Sequence, residues 1–397
     1  MTIPKLDIYP PLINTPCPAA TTLEDLLTLW NCPSTGAITT RTSLLPGFPH
    51  DDTKNLYVFY DSSSHTVSSS TNPSPSSATP TQNATLNSLG YSPIPLQTYL
   101  DFIRTIAMSH PPPPPLPNNN SNNNGCSSKT IIISVTGSAD DIAKCYLHIA
   151  RLQSELLLST SGSLATLAME INLSCPNIPH HPPPAYSRDA LIEVLDELKK
   201  VFILVKATGL PRIPVGLKTP PYTYETQFLG LMEALEASAS GAVAGAAAAA
   251  GKGKEKEPSR SLSLEKEEEE EEEEEPECPI TFLTATNTLG SCLAFTAFTD
   301  DFTKEALPTE SGTGGLAGAP LHPLALGNVK TLRKMLDERE EKLGYQMQII
   351  GVGGVLDAQG YRRMRMAGAD VVGLASGLLL KGVQVFGEIE KGLGGDW

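Results

Sequence analysis

The stretch "EINLSCPN" (Glu170 to Asn177) closes an apolar run on a thiol, Cys175, fenced by Ser174 and Pro176, with Asn172 and Asn177 on either side. A loop cysteine becomes a useful proton acceptor when its pKa falls toward ambient pH, and a nucleophile when a histidine activates it. His180 and His181 follow in "PHHPPP", where the flanking prolines favour a solvent-facing loop over a catalytic pair. By spacing alone Cys175 keeps three readings: inert core thiol, general base or nucleophile.

Other polar residues stand just after short apolar runs. Lys218 follows "IPVGL", Asn287 and Thr288 follow "TFLTAT", Gly353 and Gly354 follow "QIIGV", and Ala375, Ser376 and Gly377 follow "DVVGL". A lysine carried into an enclosed mouth must find an anion or give up its proton, and a flavin that becomes anionic on reduction is one such partner. An ordinary strand-end lysine in water is the other reading. Two successive small-residue turns let bare backbone N–H groups approach a phosphate, so together they favour a phosphate-bearing cofactor, whereas "GVGG" alone describes any tight turn.

These residues need a scaffold that brings them to one place. Candidate strands are Leu12–Ile13, Gly36–Thr40, Ile131–Val135, Ala168–Leu173, Pro214–Lys218, Thr281–Thr286, Gln348–Val352 and Asp370–Leu374, with amphipathic helical patterns between them. One such helix, "SRDALIEVLDELKKVFILV", aligns Leu191, Val194, Leu195, Leu198, Val201 and Phe202 on one face, with Ser187 or Asp189 as N-cap. Another, "LDAQGYRRMRMAGAD", stops at Gly368, where a left-handed C-cap is wanted. Eight strand–helix units with parallel right-handed crossovers close into a TIM (β/α)8 barrel, in which chemistry sits at the C-terminal strand ends.

The 397 residues suit one barrel domain spanning 1–397, interrupted by three segments expected to be disordered: 61–83 (Ser/Thr/Pro-rich), 110–129 (a proline run, then asparagines) and 237–279 (an alanine tract, then glutamates). Net charge is −15, of which Lys252 to Glu277 contributes −8. A chain so balanced, with no basic patch, has no electrostatic reason to bind nucleic acid. The seven cysteines show no CxxC pair and no metal-ligand spacing, which points to free thiols in a reducing compartment. No apolar run is long enough to span a membrane and no signal peptide is visible at the N-terminus, so a cytoplasmic protein without a membrane partner is expected.

Five blocks together resemble class 1 dihydroorotate dehydrogenases: "EINLSCPN", "PVGLKTPPY", "ATNTLG", "GGLAGAPLHPLALGNV" and "IIGVGGVLDAQGYRRMRMAGADVVGLASGL". Upstream, "PLIN", "GAITTRTSL" and "TLNSLGY" fit the same pattern. The resemblance implies an FMN-dependent enzyme of pyrimidine biosynthesis that oxidises (S)-dihydroorotate to orotate. Cys175 would remove the C5 proton while hydride passes from C6 to the flavin N5. It implies substrate contacts at Arg41, Asn87, Leu89, Gly90, Tyr91, Asn172, Asn177, Asn287 and Thr288. Cofactor contacts are implied at Arg41, Thr42, Asn172, Lys218, Gly318, Gly353, Gly354 and Ser376. A cysteine base marks class 1, whereas the membrane-attached class 2 enzymes use serine; the single-subunit class 1 branch implies fumarate as electron acceptor and a homodimer. The sequence departs from the family at Arg41, which replaces a lysine, at Pro16, at Tyr91–Pro93 and at Ala375. These departures keep two rivals open: an FMN enzyme for another dihydropyrimidine or an enone, and a barrel without turnover that acts by binding.

Overall fold

The computed structural model describes residues 4–109, 129–159, 165–178, 183–240, 278–296 and 304–397. Eight strands form a closed, all-parallel barrel: β1 (Leu12–Asn14), β2 (Ala37–Thr39), β3 (Lys129–Val135), β4 (Ala165–Asn172), β5 (Val215–Thr219), β6 (Phe282–Ala285), β7 (Gln348–Val352) and β8 (Val371–Leu374). Each is followed by a helix: α1 (Leu23–Trp30), α2 (Leu96–Ser109), α3 (Ala139–Leu158), α4 (Arg188–Ala207), α5 (Glu225–Ala239), α6 (His322–Asp337), α7 (Ala358–Ala367) and α8 (Gln384–Leu393). This is the expected TIM barrel, on the eight expected strands.

Local chemistry sets several boundaries. Thr22 and Ser138 open α1 and α3 as capping boxes with Asp25 and Asp141, and Ser187 accepts from the Ala190 N–H at the start of α4. Gly368 ends α7 with φ +112°. Leu191, Val194, Leu195, Leu198 and Val201 of α4 are buried as expected, whereas Phe202 is half-buried at the edge of that face.

Alternation along the strands divides the barrel. One face packs on the helices. On the other, Ile13, Ala37, Ile132, Ala168, Phe282, Ile350 and Val371 form an apolar floor, closed below by Leu6 and Ile8. The Phe282 ring lies over Gly216, where any Cβ would come within 2.0 Å of it. On six of the eight strands the next inward-facing position toward the C-terminal end is polar and buried: Thr15, Thr39, Ser134, Glu170, Lys218 and Thr284.

A second sheet, not foreseen from the sequence, grows from the loops after β2 and β6. Its antiparallel strands run in the order Leu289–Leu293, Thr313–Gly318, Ala84–Asn87, Tyr57–Asp61, Thr66–Val67, around a small core of Leu56, Val58, Leu86, Ala294, Ala306 and Leu307.

This sheet corrects the reading of 61–83 as disordered. The segment holds the Thr66–Val67 strand, and its backbone returns to the neighbouring strand through Ser68 N–H to Phe59 O (2.8 Å) and Asn72 N–H to Tyr57 O (2.8 Å). Its polar side chains accept backbone N–H groups: Asn72 from Tyr57, Ser68 from Phe59 and Asp61 from Ser63. Composition registers apolar burial but not this local satisfaction of the backbone. Of the other two segments, Lys129 belongs to β3, residues 237–239 to α5 with Ser240 as its C-cap, and Cys278 and Pro279 lead into β6; the rest lies outside the described residues.

Candidate active site

The barrel and the second sheet bring the sequence-derived residues together. Arg41, Thr42, Asn87, Leu89, Gly90, Tyr91, Asn172, Cys175, Asn177, Lys218, Asn287, Thr288 and Ser376 line one cavity, and Gly318, Gly353 and Gly354 line an adjoining one that shares Lys218, Asn287, Thr288 and Ser376. His180 and His181 lie outside the described residues.

Four asparagines organise the first cavity, and each bonds a backbone group as well as a side chain. Asn172 Oδ1 accepts from Ser174 N–H, Ser174 Oγ and Asn287 Nδ2, while its Nδ2 donates to Thr42 Oγ1 at 3.0 Å. Asn177 Nδ2 donates to Leu89 O (2.9 Å) and to Asn87 Oδ1 (2.8 Å). Asn87 Nδ2 donates to Gly315 O, and its Oδ1 also accepts Leu89 N–H. Asn287 Nδ2 donates to Asn172 Oδ1 and Ser174 Oγ, while its Oδ1 accepts Thr288 N–H.

Among the described residues, subtracting these bonds from what an amide can make leaves Asn172 and Asn87 with one free N–H each, and Asn177 and Asn287 with free lone pairs. The cavity lining therefore holds both spare donors and spare acceptors.

Cys175 is half-buried. Burial pushes its thiol above the ordinary cysteine range; the Asn177 N–H and the charges of Lys218 and Arg41 pull the other way without reversing it. The condition set from sequence for a good base, a lowered pKa, is thus not met. Desolvation outweighs the cations, a balance that sequence spacing cannot reveal.

Arg41 is buried, and its Nη2 donates to Tyr91 O at 3.3 Å. That bond holds the Leu89–Tyr91 segment over the cavity, where the Tyr91 ring meets the edge of Phe48. Lys218 is 5 % exposed at the end of β5.

The adjoining cavity is a cradle of small residues. A Cβ on Gly354 (φ +69°) would lie 2.6 Å from Gly318 O and 2.6 Å from His322 Cβ, so two turns and a helix converge there. His322 Nδ1 bonds Gly353 O at 2.6 Å and its Nε2 accepts from Arg363 Nε at 3.0 Å, which keeps the ring neutral; burial, with Arg363 beside it, lowers its pKa. Thr15 and Thr286 hydroxyls, both buried, line this cavity without a hydrogen-bond partner among the described residues.

Sequence reading missed Cys17, Tyr57, Thr85 and Ala317, which also line the first cavity. Thr85 Oγ1 meets Ser376 Oγ at 3.0 Å and ties the second sheet to the last barrel strand end. The available signal was the alternation "ATLN", too short to read as a strand.

The family model for dihydroorotate dehydrogenase matches residues 258–395. A dihydroorotate dehydrogenase (fumarate) from Saccharomyces paradoxus is 26% identical over 56% of this chain and 52% of its own length. A putative dihydroorotate dehydrogenase A (fumarate) from Streptococcus uberis is 25% identical over 81% of this chain and 75% of its own. The chain resembles class 1 dihydroorotate dehydrogenases. A shorter match, 40% identical over 84 residues, or 22% of that protein, is to a dihydroorotate dehydrogenase (quinone) from Bordetella avium. The chain thus spans about half the length of most of the fumarate-type relatives it matches and less than a quarter of this quinone-type one. The fold itself is similar to ligand-free DHODH from Eimeria tenella, with TM-score 0.59 and 15% identity over 98% of this chain and 86% of that one. Among the described residues no helix is long and apolar enough to cross a membrane, and no cluster of His, Cys, Asp and Glu could hold a metal ion.

Proposed function

We propose that this protein oxidises (S)-dihydroorotate to orotate, with FMN as its cofactor and fumarate as the electron acceptor. The observation that carries the reading is the pattern of spare valences in the four asparagines. Two free N–H donors and two free carbonyl acceptors complement a planar ring that alternates C=O with N–H, as a dihydropyrimidinedione does. Arg41 and Thr288 supply donors on the same wall for a ring carboxylate.

The residues present fit a flavin mononucleotide. The glycine cradle of Gly318, Gly353 and Gly354 leaves room for a phosphate close to backbone, the Thr15 and Thr286 hydroxyls await a polar partner, and Lys218 sits where both cavities meet. When bound, the flavin supplies the hydride acceptor.

The chain's own part is to hold the ring and move one proton. Cys175, in the loop after β4, is the base that takes the proton from C5, and the Asn177 N–H, Lys218 and Arg41 each favour the thiolate form. The thiol's raised pKa makes it a strong acceptor once ionised and limits the ionised fraction near neutral pH. The Leu89–Tyr91 segment, pinned by Arg41 and Asn177, covers the ring and excludes water. The resemblance to class 1 enzymes supports a homodimer in the cytoplasm as part of this proposal.

Calorimetric titration of the FMN-loaded protein separates this reading from its rivals. Orotate should bind, whereas dihydrouracil, which lacks the carboxylate, and fumarate, which lacks the ring, should bind at least about tenfold more weakly. Equal affinity for all three, or none for orotate, would remove the dihydroorotate assignment.

A further inference from the structure

TIM-barrel interiors are filled by branched apolar side chains, yet β4 points a glutamate inward just above the floor, and Glu170 is only 1% exposed. Its Oε1 accepts from Ser134 Oγ at 2.9 Å. Ser134 has one hydroxyl hydrogen, and that bond uses it. The contact between Ser134 Oγ and Thr42 Oγ1 at 2.9 Å must then have Thr42 as donor. Thr42 Oγ1, having given its own hydrogen, accepts from Asn172 Nδ2 at 3.0 Å. Each bond sets the direction of the next, from the barrel core to the cavity wall.

We propose that Glu170 is a positioning residue: as an acceptor-only carboxylate it polarises the chain Glu170–Ser134–Thr42–Asn172, so that Asn172 turns an N–H rather than a carbonyl toward the ligand. A proton on Oε1 would reverse the first bond, make Ser134 the donor to Thr42, and leave the Thr42 hydrogen facing the Asn172 NH2. The far end of the chain agrees independently with the carboxylate form, because Asn172 Oδ1 accepts the Ser174 backbone N–H, which cannot act as an acceptor. A buried carboxylate is costly unless its hydrogen bonds serve it, and this one fixes an amide that reads the ligand. The ligand in the test rests on the dihydroorotate reading; the polarity argument does not.

The test uses the FMN-loaded full chain and orotate as probe, with Glu170→Gln, Glu170→Leu, Ser134→Ala and the Glu170→Leu/Ser134→Ala double variant. Glutamine can still present an oxygen to Ser134, so Glu170→Gln should keep the orotate Kd within about threefold. Glu170→Leu and Ser134→Ala should each weaken it by about tenfold, and the double variant should be no weaker than the worse single one, since both cut the same chain. If Ser134→Ala binds like the unsubstituted protein, or Glu170→Gln falls as far as Glu170→Leu, the proposal is wrong. Should Glu170→Leu fail to fold, Ser134→Ala and Glu170→Gln still decide it.

Infrared difference spectra of the ligand-free protein, unsubstituted minus Glu170→Gln, give a readout that needs no substrate. A carboxylate band near neutral pH is expected, and a protonated carboxyl band overturns the proposal. Failure of orotate to bind the unsubstituted protein would count against the dihydroorotate reading alone and leave the infrared result to judge Glu170.

Discussion

Asn177 Nδ2 donates to Asn87 Oδ1 at 2.8 Å, and this bond joins the barrel to the second sheet across the mouth of the site. Asn177 lies in the loop after β4 and Asn87 ends the Ala84–Asn87 strand. Each fixes which face the other turns to the ligand. Asn87→Ala and Asn177→Ala should therefore each weaken orotate binding by about tenfold to a hundredfold, and the double variant by less than the product. Calorimetry on the four proteins measures the coupling; strictly additive losses would show that the two amides act separately.

Cys175 should give a rate that rises with pH. Its thiol is raised by burial, and the reactive form is the thiolate, so the rate of flavin reduction should increase as pH climbs through and above the ordinary cysteine range. Arg41→Ala removes a cation that favours the thiolate and should move the midpoint to higher pH. Stopped-flow pH profiles of both proteins check this. A midpoint that stays fixed in Arg41→Ala would mean that the titrating group is not Cys175.

Gly354→Ala should impair flavin retention. The backbone there has φ +69°, and the new Cβ would lie 2.6 Å from Gly318 O, so the cradle must open. Strain of this kind is worth about 1–3 kcal/mol, which corresponds to at least about fivefold in FMN affinity if it is released by moving the turn. Fluorescence titration of the apoprotein with FMN measures it, and unchanged affinity would place the phosphate elsewhere.

Lys129→Met should destabilise the fold without touching the site. The buried Lys129 Nζ shares its N–H groups among Leu29 O, Trp30 O, Cys32 O and Thr35 Oγ1, and so ties the end of α1 to the strand β3. Losing these charge-assisted bonds should cost about 2 kcal/mol or more. Urea denaturation read by circular dichroism tests the loss, and a midpoint equal to that of the unsubstituted protein would refute this role.

The barrel was legible because its strands are short apolar runs with helical patterns between them, and each of the eight lies where "LIN", "IIISV" or "VVGL" placed it. The strand ends followed from that, and with them Cys175, Lys218, Asn287 and Gly354. The second sheet was not legible. "ATLN" and "TV" are too brief to show a period, and the order of 61–83 comes from Asn, Ser and Asp side chains bonding backbone that only the folded chain brings near. Glu170 opens the motif "EINLSCPN" with no role legible from its neighbours, because its meaning depends on Ser134 and Thr42, which lie on other segments. The thiol's upward shift likewise arises from three-dimensional burial.

The most direct test of the central claim is anaerobic reduction of the FMN-loaded protein, followed as loss of the flavin absorbance on mixing with (S)-dihydroorotate. The account predicts rapid bleaching by dihydroorotate, none by dihydrouracil, and a rate lowered by about 10²–10⁴-fold in Cys175→Ala with FMN still bound. A flavin that stays oxidised with dihydroorotate, or one that bleaches as fast in Cys175→Ala, would contradict it.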